Sequence, residues 1–444
     1  RADARARKTG HADLSAYRRI LDSAGPTDWR AYTDLTTEST VVALLADGEP
    51  VAAAPEGQIV AVVLDVTPFY AESGGQAADA GHLTGPDGAA EVIDVQRPIK
   101  GLVVHHVRVT GGELTVGSRL TAQVDPRWRL GARQAHSGTH VLHAALRQVL
   151  GPTALQSGSY NRPGYLRLDF AWPGSLSPAT RSEIEDVANQ ALRDDLPVTA
   201  RIMPLARARE IGALALFGET YDEQVRVVEI GGAWSRELCG GTHVSRSSQI
   251  GVLALTGESS VGAGHRRVEA VVGLDGMRYL ARERDLVTQL AAQLQAPRED
   301  LPARISALLD RARAAERRAD QLARELAAQR ARRLAADAVR IAGTRHVGVV
   351  AAGDDDPWQL AELIRAALPE NEPGVVAVAA PADRVTRLVV ATTTATPATL
   401  GAVHLVKTAL DGRGGGTDRL AQGGAPGRTP EEVLAVVGGA VRAG

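Results

Sequence analysis

The chain has 444 residues, 44% of them hydrophobic, and a formal net charge of −2. This length calls for several cores of about 100 to 200 residues each, and the charge excludes a uniformly basic nucleic-acid binder, so any RNA contact must be local. No apolar run is long enough to span a bilayer and no signal peptide opens the chain, which predicts a cytoplasmic protein with no membrane partner. The start at Arg1 rather than methionine predicts a fragment of a longer protein.

A single cysteine, Cys239, rules out an internal disulfide and leaves three roles open: metal ligand, reactive thiol or core residue. Lys8, Lys100 and Lys407 are the only lysines, so the abundance of arginine reflects coding bias as much as function.

In chain order, Leu14 to Leu21 reads as the end of a helix stopped by Gly25-Pro26, the remnant of a separate domain. From Thr40 to Val124, short apolar runs (Val60 to Val66, Val92 to Val95, Leu102 to Val109, Leu120 to Val124) alternate with Gly, Pro and Asp turns and predict a small β-rich domain. After Asp125-Pro126 the pattern predicts a helix from Arg127 to Leu150 ended by Gly151-Pro152. Strands near Leu166 to Phe170 and Val198 to Ile202 follow, with a helix from Pro178 to Arg193 between them.

Leu274 to Leu294 reads as a helix, and Ile305, Leu308, Ala312, Ala315, Ala319, Leu322 and Leu326 trace a coiled-coil seam. Pro297 and Pro302 between them predict an antiparallel helical hairpin. Arg304 to Arg340 holds ten Arg against five Asp or Glu, either a solvated flank or a nucleic-acid backbone contact. The last hundred residues alternate strands (Val347 to Ala352, Val375 to Ala380, Leu388 to Thr393) with helices (Trp358 to Leu368, Thr399 to Leu410, Pro430 to Val441), the pattern of an α/β layer domain. A glycine-rich stretch, Gly412 to Gly416 and then Gln422 to Gly424, interrupts it.

His136-Ser-Gly-Thr-His140 puts two imidazoles one helical turn apart on one face, within reach of one metal ion. With 11 histidines in the chain this pair alone says little. Cys239-Gly-Gly-Thr-His243 adds a thiol and a third imidazole. His136, His140, Cys239 and His243 then make a three-nitrogen, one-sulfur set suited to tetrahedral Zn2+, one ion per chain. Ser137 stands where a helical zinc protease carries its glutamate, which disfavours peptidase chemistry. Gly240 and Gly241 allow close backbone approach to a ligand or simply turn the chain around the metal, and with Thr242 they are candidate substrate contacts. The segment Thr67-Pro-Phe-Tyr-Ala-Glu72-Ser-Gly-Gly-Gln76 gathers hydroxyl, carboxylate and amide groups at a strand end, either an ordinary loop or a ligand-facing one.

T-P-F-Y-A-E-S-G-G-Q, H-S-G-T-H-V-L-H-A-A-L-R-Q-V-L-G, F-G-E-T-Y (Phe217 to Tyr221), E-L-C-G-G-T-H-V and H-R-R-V-E-A-V-V-G (His265 to Gly273) occur in this order. The chain thereby resembles the C-terminal half of alanine-tRNA ligases, densely over Thr40 to Gly273. The resemblance implies an editing domain that hydrolyses the ester of tRNA(Ala) mischarged with Ser or Gly, and a C-terminal domain of the DHH-associated type that holds the tRNA. It implies the same four zinc ligands, Gln76 and Thr67 as editing-pocket residues with Thr67 recognising the seryl hydroxyl, Glu72 as a further catalytic candidate, and Arg266 as a substrate contact. ATP and Mg2+ would serve only an aminoacylation domain outside this chain. Two residues depart from the family pattern: Gly138 in place of alanine in the first zinc motif, and Thr417 in place of a Lys-Pro pair after the triple glycine.

The expected architecture is α+β and multidomain. It comprises a helical remnant (1–34), a small β-barrel-like part (35–125) and an α+β zinc editing core (126–273), then an antiparallel helical hairpin or coiled coil (274–342) and a C-terminal α/β domain (343–444). A homodimer through the C-terminal region is a further expectation. The competing readings are a free-standing trans-editing protein and a non-catalytic zinc-stabilised module for tRNA binding and dimerisation.

Overall fold

The computed structural model describes residues 14–215, 221–353, 355–382 and 385–444. Arg1, Lys8 and the Phe217 to Thr220 part of the F-G-E-T-Y segment lie outside the described residues. The chain divides into two compact units, Arg1–Leu290 and Ala291–Gly444.

The first unit begins with α1 (Ser15–Ala24), followed by β1 (Asp28–Trp29), β2 (Thr36–Ala46), β3 (Glu49–Val51), β4 (Ala53–Pro55), β5 (Ile59–Leu64) and β6 (Val66–Thr67), then β7 (Gly81–Thr84), β8 (Gly88–Ile99), β9 (Leu102–Thr115) and β10 (Arg119–Val124). Six strands in the order β10-β7-β8-β9-β5-β2 close into a barrel through a β10–β2 ladder that pairs Leu120 with Ser39 and Ala122 with Thr37. Closure removes the sheet edges that would otherwise invite pairing with other chains. Strand β5 is apolar on both faces because both are covered. Val60, Val62 and Leu64 fill the barrel, while Ala61 and Val63 lie under Ala16 and Ile20 of α1. Within this chain, therefore, the helix expected as a remnant of a separate domain is packed onto the barrel.

Helix α2 (Pro126–Leu150) starts where Asp125 caps the N–H groups of Arg127 and Trp128 with Pro126 at the first position, and stops at Gly151. Next come β11 (Gln156–Arg162), β12 (Tyr165–Ala171), α3 (Pro178–Arg193), β13 (Val198–Pro204), α4 (Leu205–Glu210), β14 (Gln224–Ile230), β15 (Ser235–Leu238), β16 (Leu253–Gly262), β17 (His265–Val272) and α5 (Gly273–Leu294). Val141, Leu142, Ala145 and Leu146 of α2 pack on Leu166, Leu168 and Phe170 of β12 and on Val268, Ala270 and Val272 of β17, inside the sheet β11-β12-β17-β16. A smaller sheet, β13-β14-β15, carries the cysteine motif just past its last strand. Strands β14 to β17 escaped the sequence reading, because Arg and Gly residues interrupt their alternation.

In the second unit, α6 (Leu301–Ala336) precedes β18 (Val339–Ile341), β19 (Thr344–Val350), α7 (Pro357–Ala367), β20 (Gly374–Ala382), β21 (Val385–Thr392), α8 (Ala402–Ala409), β22 (Gly415–Gly416), β23 (Leu420–Pro426) and α9 (Pro430–Ala443). The sheet order is β18-β19-β20-β21-β23-β22, with β19–β20 parallel. Alternate residues of β20 face opposite layers: Val375 and Ala377 meet α8 and α9, whereas Val376 and Val378 meet α7 and the end of α6. Ile305, Leu308, Leu322 and Leu326 of the expected seam are exposed. The glycine run is explained by close strand packing, since a Cβ on Gly423 would strike the Leu410 side chain and sit 3.0 Å from the Gly414 Cα. Thr417 is exposed, and its hydroxyl accepts the N–H groups of Arg419 and Leu420.

Candidate metal centre and its flanking pockets

His136 and His140 lie on one face of α2, and Cys239 and His243 on the loop that follows β15. One ligand atom from each of the four lies within 4.8 Å of all the others, so the two motifs, a hundred residues apart in sequence, converge. Cys239 Sγ is 3.3 Å from His136 Nε2 and 3.3 Å from His243 Nε2. A tetrahedral zinc site with ordinary Zn–S and Zn–N bonds has N···S edges of about 3.5 Å, so this donor set fits that ion.

The far side of each imidazole is held by a different group. Gln76 Oε1 faces His136 Nδ1 at 2.8 Å and also accepts the Thr242 N–H, while Gln76 Nε2 donates to Thr242 Oγ1 at 2.9 Å. Ser137 Oγ lies 3.1 Å from His243 Nδ1 and accepts the Val244 N–H. Glu237 places Oε2 3.5 Å from His140 Nδ1, close enough for charge attraction but without hydrogen-bond geometry, and Oε1 2.9 Å from His143 Nδ1. All three ligand histidines thus keep Nε2 for the centre, the arrangement in which outer partners fix ring tautomer and orientation.

Burial pushes the Cys239 thiol up, but the imidazoles of His136, His243 and His140 outweigh it and hold the group well below its usual range, as thiolate. Burial pushes His243 down to about 3. Burial also acts downward on His140, where the Glu237 and Cys239 charges prevail and pull it up to about 9. Glu237 is raised by burial and lowered more by His140 and His143, so it is a carboxylate.

The loop Cys239 to Thr242 is fixed from outside. Arg226 donates to the carbonyls of Cys239 and Gly241, both at 2.9 Å, and stacks 4.3 Å from the centre of the Tyr32 ring, whose hydroxyl donates to Gly240 O at 2.6 Å. Gly241 is obligatory, because a Cβ there would enter the His136 ring. Gly75, at φ +79, is the counterpart on the other loop, since a Cβ would lie 2.6 Å from Ser159 O. Its close approach lets Gly75 O and the Ala77 N–H bond to the Asn161 backbone and delivers Gln76 to the centre.

Two pockets flank the cluster. One, of about 390 Å³, is lined by His136, His140 and Cys239 together with Gln156, Ser159 and Glu237. The other, of about 700 Å³, lies on the His243 side, and Arg226 lines both. Gly240 lines the first pocket and Thr242 the second, whereas Gly241 is occupied in packing.

Other expected site residues stand elsewhere. Gln76 is fully buried and reaches the centre only through His136 and Thr242. Thr67 is fully buried with its hydroxyl 2.7 Å from His105 Nε2, and it lines neither pocket. Glu72 is exposed beyond both linings and accepts a hydrogen bond from Gln96. Arg266 is ion-paired with Glu258 across the β16–β17 hairpin and lines neither pocket, so its charge is already matched. Ser137, Tyr32, Arg226 and Glu237 were missed as site residues. Glu237 could have been found as a carboxylate two residues before Cys239.

Residues 1–128 match the family model described as tRNA synthetases class II (A), and residues 225–269 match that of the threonyl and alanyl tRNA synthetase second additional domain. Among curated proteins, the alanine–tRNA ligase of Leifsonia xyli subsp. xyli (strain CTCB07) is 50% identical over 432 residues, 96% of this chain and 48% of that protein. The alanine–tRNA ligase of Salinispora tropica is 47% identical over 447 residues, 98% of this chain and 50% of that protein. That of Mycolicibacterium smegmatis is 48% identical over 447 residues, 96% and 49% of the two. The chain spans about half the length of the curated relatives it matches, and over nearly all of its own length it belongs to the alanine–tRNA ligase family.

Proposed function

We propose that this chain is an aminoacyl-tRNA deacylase module, hydrolysing the ester that joins serine or glycine to tRNA(Ala). The observation that carries the reading is the convergence of His136, His140, Cys239 and His243 beside a polar pocket in a chain of this family. A site that activates alanine cannot reliably exclude the smaller glycine and tolerates the added hydroxyl of serine, so accuracy calls for a second, hydrolytic site.

The four side chains hold one Zn2+ in this reading, and the ion supplies a positive centre that orients the amino-acid end and polarises an ester carbonyl. Gln76, Ser137 and Glu237 act through the imidazoles, fixing which nitrogen faces inward. Arg226 and Tyr32 hold the carbonyls of the cysteine loop away from the cluster. Thr67 supports the barrel wall through His105.

Attachment of alanine to tRNA(Ala) with ATP and Mg2+ is the activity that the relatives' name gives to the whole protein, and we propose it for the whole protein only. Self-association through the C-terminal region is part of the proposal, and the mass in solution with and without residues 343–444 would test it. Among the described residues no helix is long and apolar enough to cross a membrane, and a cytoplasmic location is part of the proposal.

The test is release of serine from preformed seryl-tRNA(Ala), with alanyl-tRNA(Ala) as control and zinc measured in the same sample. Preferential serine release with about one zinc per chain supports the reading. Bound zinc without release favours the alternative in which four protein ligands leave no open position and the ion is structural.

A further inference from the structure

Another pocket of the first unit, of about 530 Å³, is formed by α3, the last turn of α2 and the turns before β13 and β15, and none of the four metal-site side chains lines it. Part of its lining is apolar: Val187, Leu196 and Trp234 pack against the core beneath α2 and α3. Trp234 Nε1 donates to Gln148 Oε1 at 3.0 Å, so the indole N–H is satisfied and the ring offers its π surface. The charged part of the lining is acidic. Asp186 and Asp194 line the pocket and no Lys, Arg or His does, unlike the two pockets beside the metal centre, both lined by Arg226. Both carboxylates are exposed, and neither has an ion pair among the described residues. Asp194 accepts from the Gln190 amide at 2.7 Å, whereas the neighbouring Asp195 is taken by Arg246. Asp186 and Asp194 stand eight positions apart along α3 and its cap, a separation of about 12 Å along the helix axis.

We propose that this pocket binds a linear aliphatic polyamine, with one ammonium at Asp186, another at Asp194 and the methylene chain laid over Val187, Leu196 and Trp234. Carboxylates this far apart cannot share one metal ion, whose oxygen ligands must converge on a single point. A cation with a single charge meets only one of them. A chain with an ammonium at each end meets both, and its methylenes cover apolar surface while the charged ends stay in water, as lysine stems do. The Trp234 ring adds attraction for an ammonium through its quadrupole. The volume is that of a small-molecule site. Gln148 stands at the end of the helix that carries His136 and His140, and Trp234 just before the strand that leads to Cys239, so a ligand seated here touches both elements that build the metal centre. The inference stands apart from the editing reading.

The test titrates the full chain, with zinc bound and free of RNA, with spermidine by calorimetry, and with putrescine, butylamine and Mg2+ for comparison. Spermidine is expected to bind more tightly than putrescine, which is too short to reach both carboxylates, and butylamine more weakly than either. Asp186→Asn and Asp194→Asn keep shape and remove charge. Each is expected to weaken spermidine binding about threefold to fivefold, as for exposed ion pairs, and the two together about tenfold or more, with zinc content and ligand-free Tm matching the parent protein. The indole N–H resonance of Trp234, identified by its loss in Trp234→Phe, is expected to move as spermidine is added to the parent and to stay in place in the double variant. Equal spermidine affinity in the parent and the double variant overturns the proposal, as does butylamine binding as tightly as spermidine, or a Trp234 resonance that does not move. Displacement of spermidine by Mg2+ at equal charge concentration also overturns it, since that marks a diffuse ionic attraction. None of these readouts involves serine release, so their failure leaves the editing reading untouched.

Discussion

Gln76 Oε1 meets His136 Nδ1 at 2.8 Å, across sixty residues of sequence and between the barrel and helix α2. The same oxygen accepts the Thr242 N–H at 2.9 Å. One amide thus ties the loop that carries Cys239 to the helix that carries His136. Gln76→Ala is expected to leave both donors buried and unpaired and to lower zinc affinity about 10- to 100-fold, the usual effect of losing an outer partner of a metal-bound histidine. Competition with a chromophoric chelator measures it; unchanged affinity would show that His136 needs no such support.

Glu237 plays the matching part for His140, and it also accepts from His143. Glu237→Gln keeps the shape and removes the charge. It is expected to weaken zinc binding within the same 10- to 100-fold range and to shift the visible bands of the cobalt-substituted protein, because a less basic imidazole binds the metal less strongly. Cobalt spectra identical to those of the parent protein would mean that His140 is oriented by packing alone.

The four side chains that converge were legible in the sequence because their signal is local: two residues four apart on a helix, and two four apart around a glycine pair. The helices were legible for a similar reason, since Asp125-Pro126 with Gly151, and Ser177-Pro178, mark their ends by cap chemistry. Apart from Gln76 and Thr242, what surrounds these four side chains was not legible. Ser137 reads as the absence of a glutamate until the fold places its hydroxyl 3.1 Å from His243 Nδ1. Nothing in the sequence pairs Thr67 with His105, 38 residues away, whose Nε2 its hydroxyl meets at 2.7 Å. Arg226 and Tyr32 carry no spacing signal at all, because they act on main-chain carbonyls.

Arg129 and Asp79 form an ion pair that is shielded from solvent, and Arg129 also donates to Ala31 O at 2.6 Å and to Pro68 O at 2.7 Å. Four segments therefore meet at one guanidinium. Asp79→Asn is expected to cost about 3 to 5 kcal/mol, since it strips a buried cation of its counter-charge. Urea unfolding monitored by far-UV circular dichroism would measure it. A loss below about 1 kcal/mol would mean that the backbone carbonyls alone sustain the charge.

The Thr67–His105 pair predicts an acid sensitivity of its own. His105 is fully buried, with Nδ1 3.1 Å from Val62 O and Nε2 2.7 Å from Thr67 Oγ1. A neutral ring protonated on Nδ1 donates to Val62 and accepts the Thr67 hydroxyl, so the network is complete without charge. Burial pushes His105 down from an ordinary value of 6.5 to about 4, only partly opposed by Val62 O. Between those values the unfolded chain binds a proton that the folded chain refuses. Stability from this group is therefore whole above pH 6.5 and falls as pH drops toward 4. From pH 7 to pH 5 the loss is about 2 kcal/mol by proton linkage. His105→Gln lacks the titrating group and is expected to lose less stability than the parent by about that amount, read as the difference between their urea midpoints at the two pH values, each multiplied by its m-value. Subtracting the variant removes the contribution of the metal-site histidines, which both proteins share. Parallel pH profiles for the two proteins would show that His105 accepts its proton within the fold at little cost.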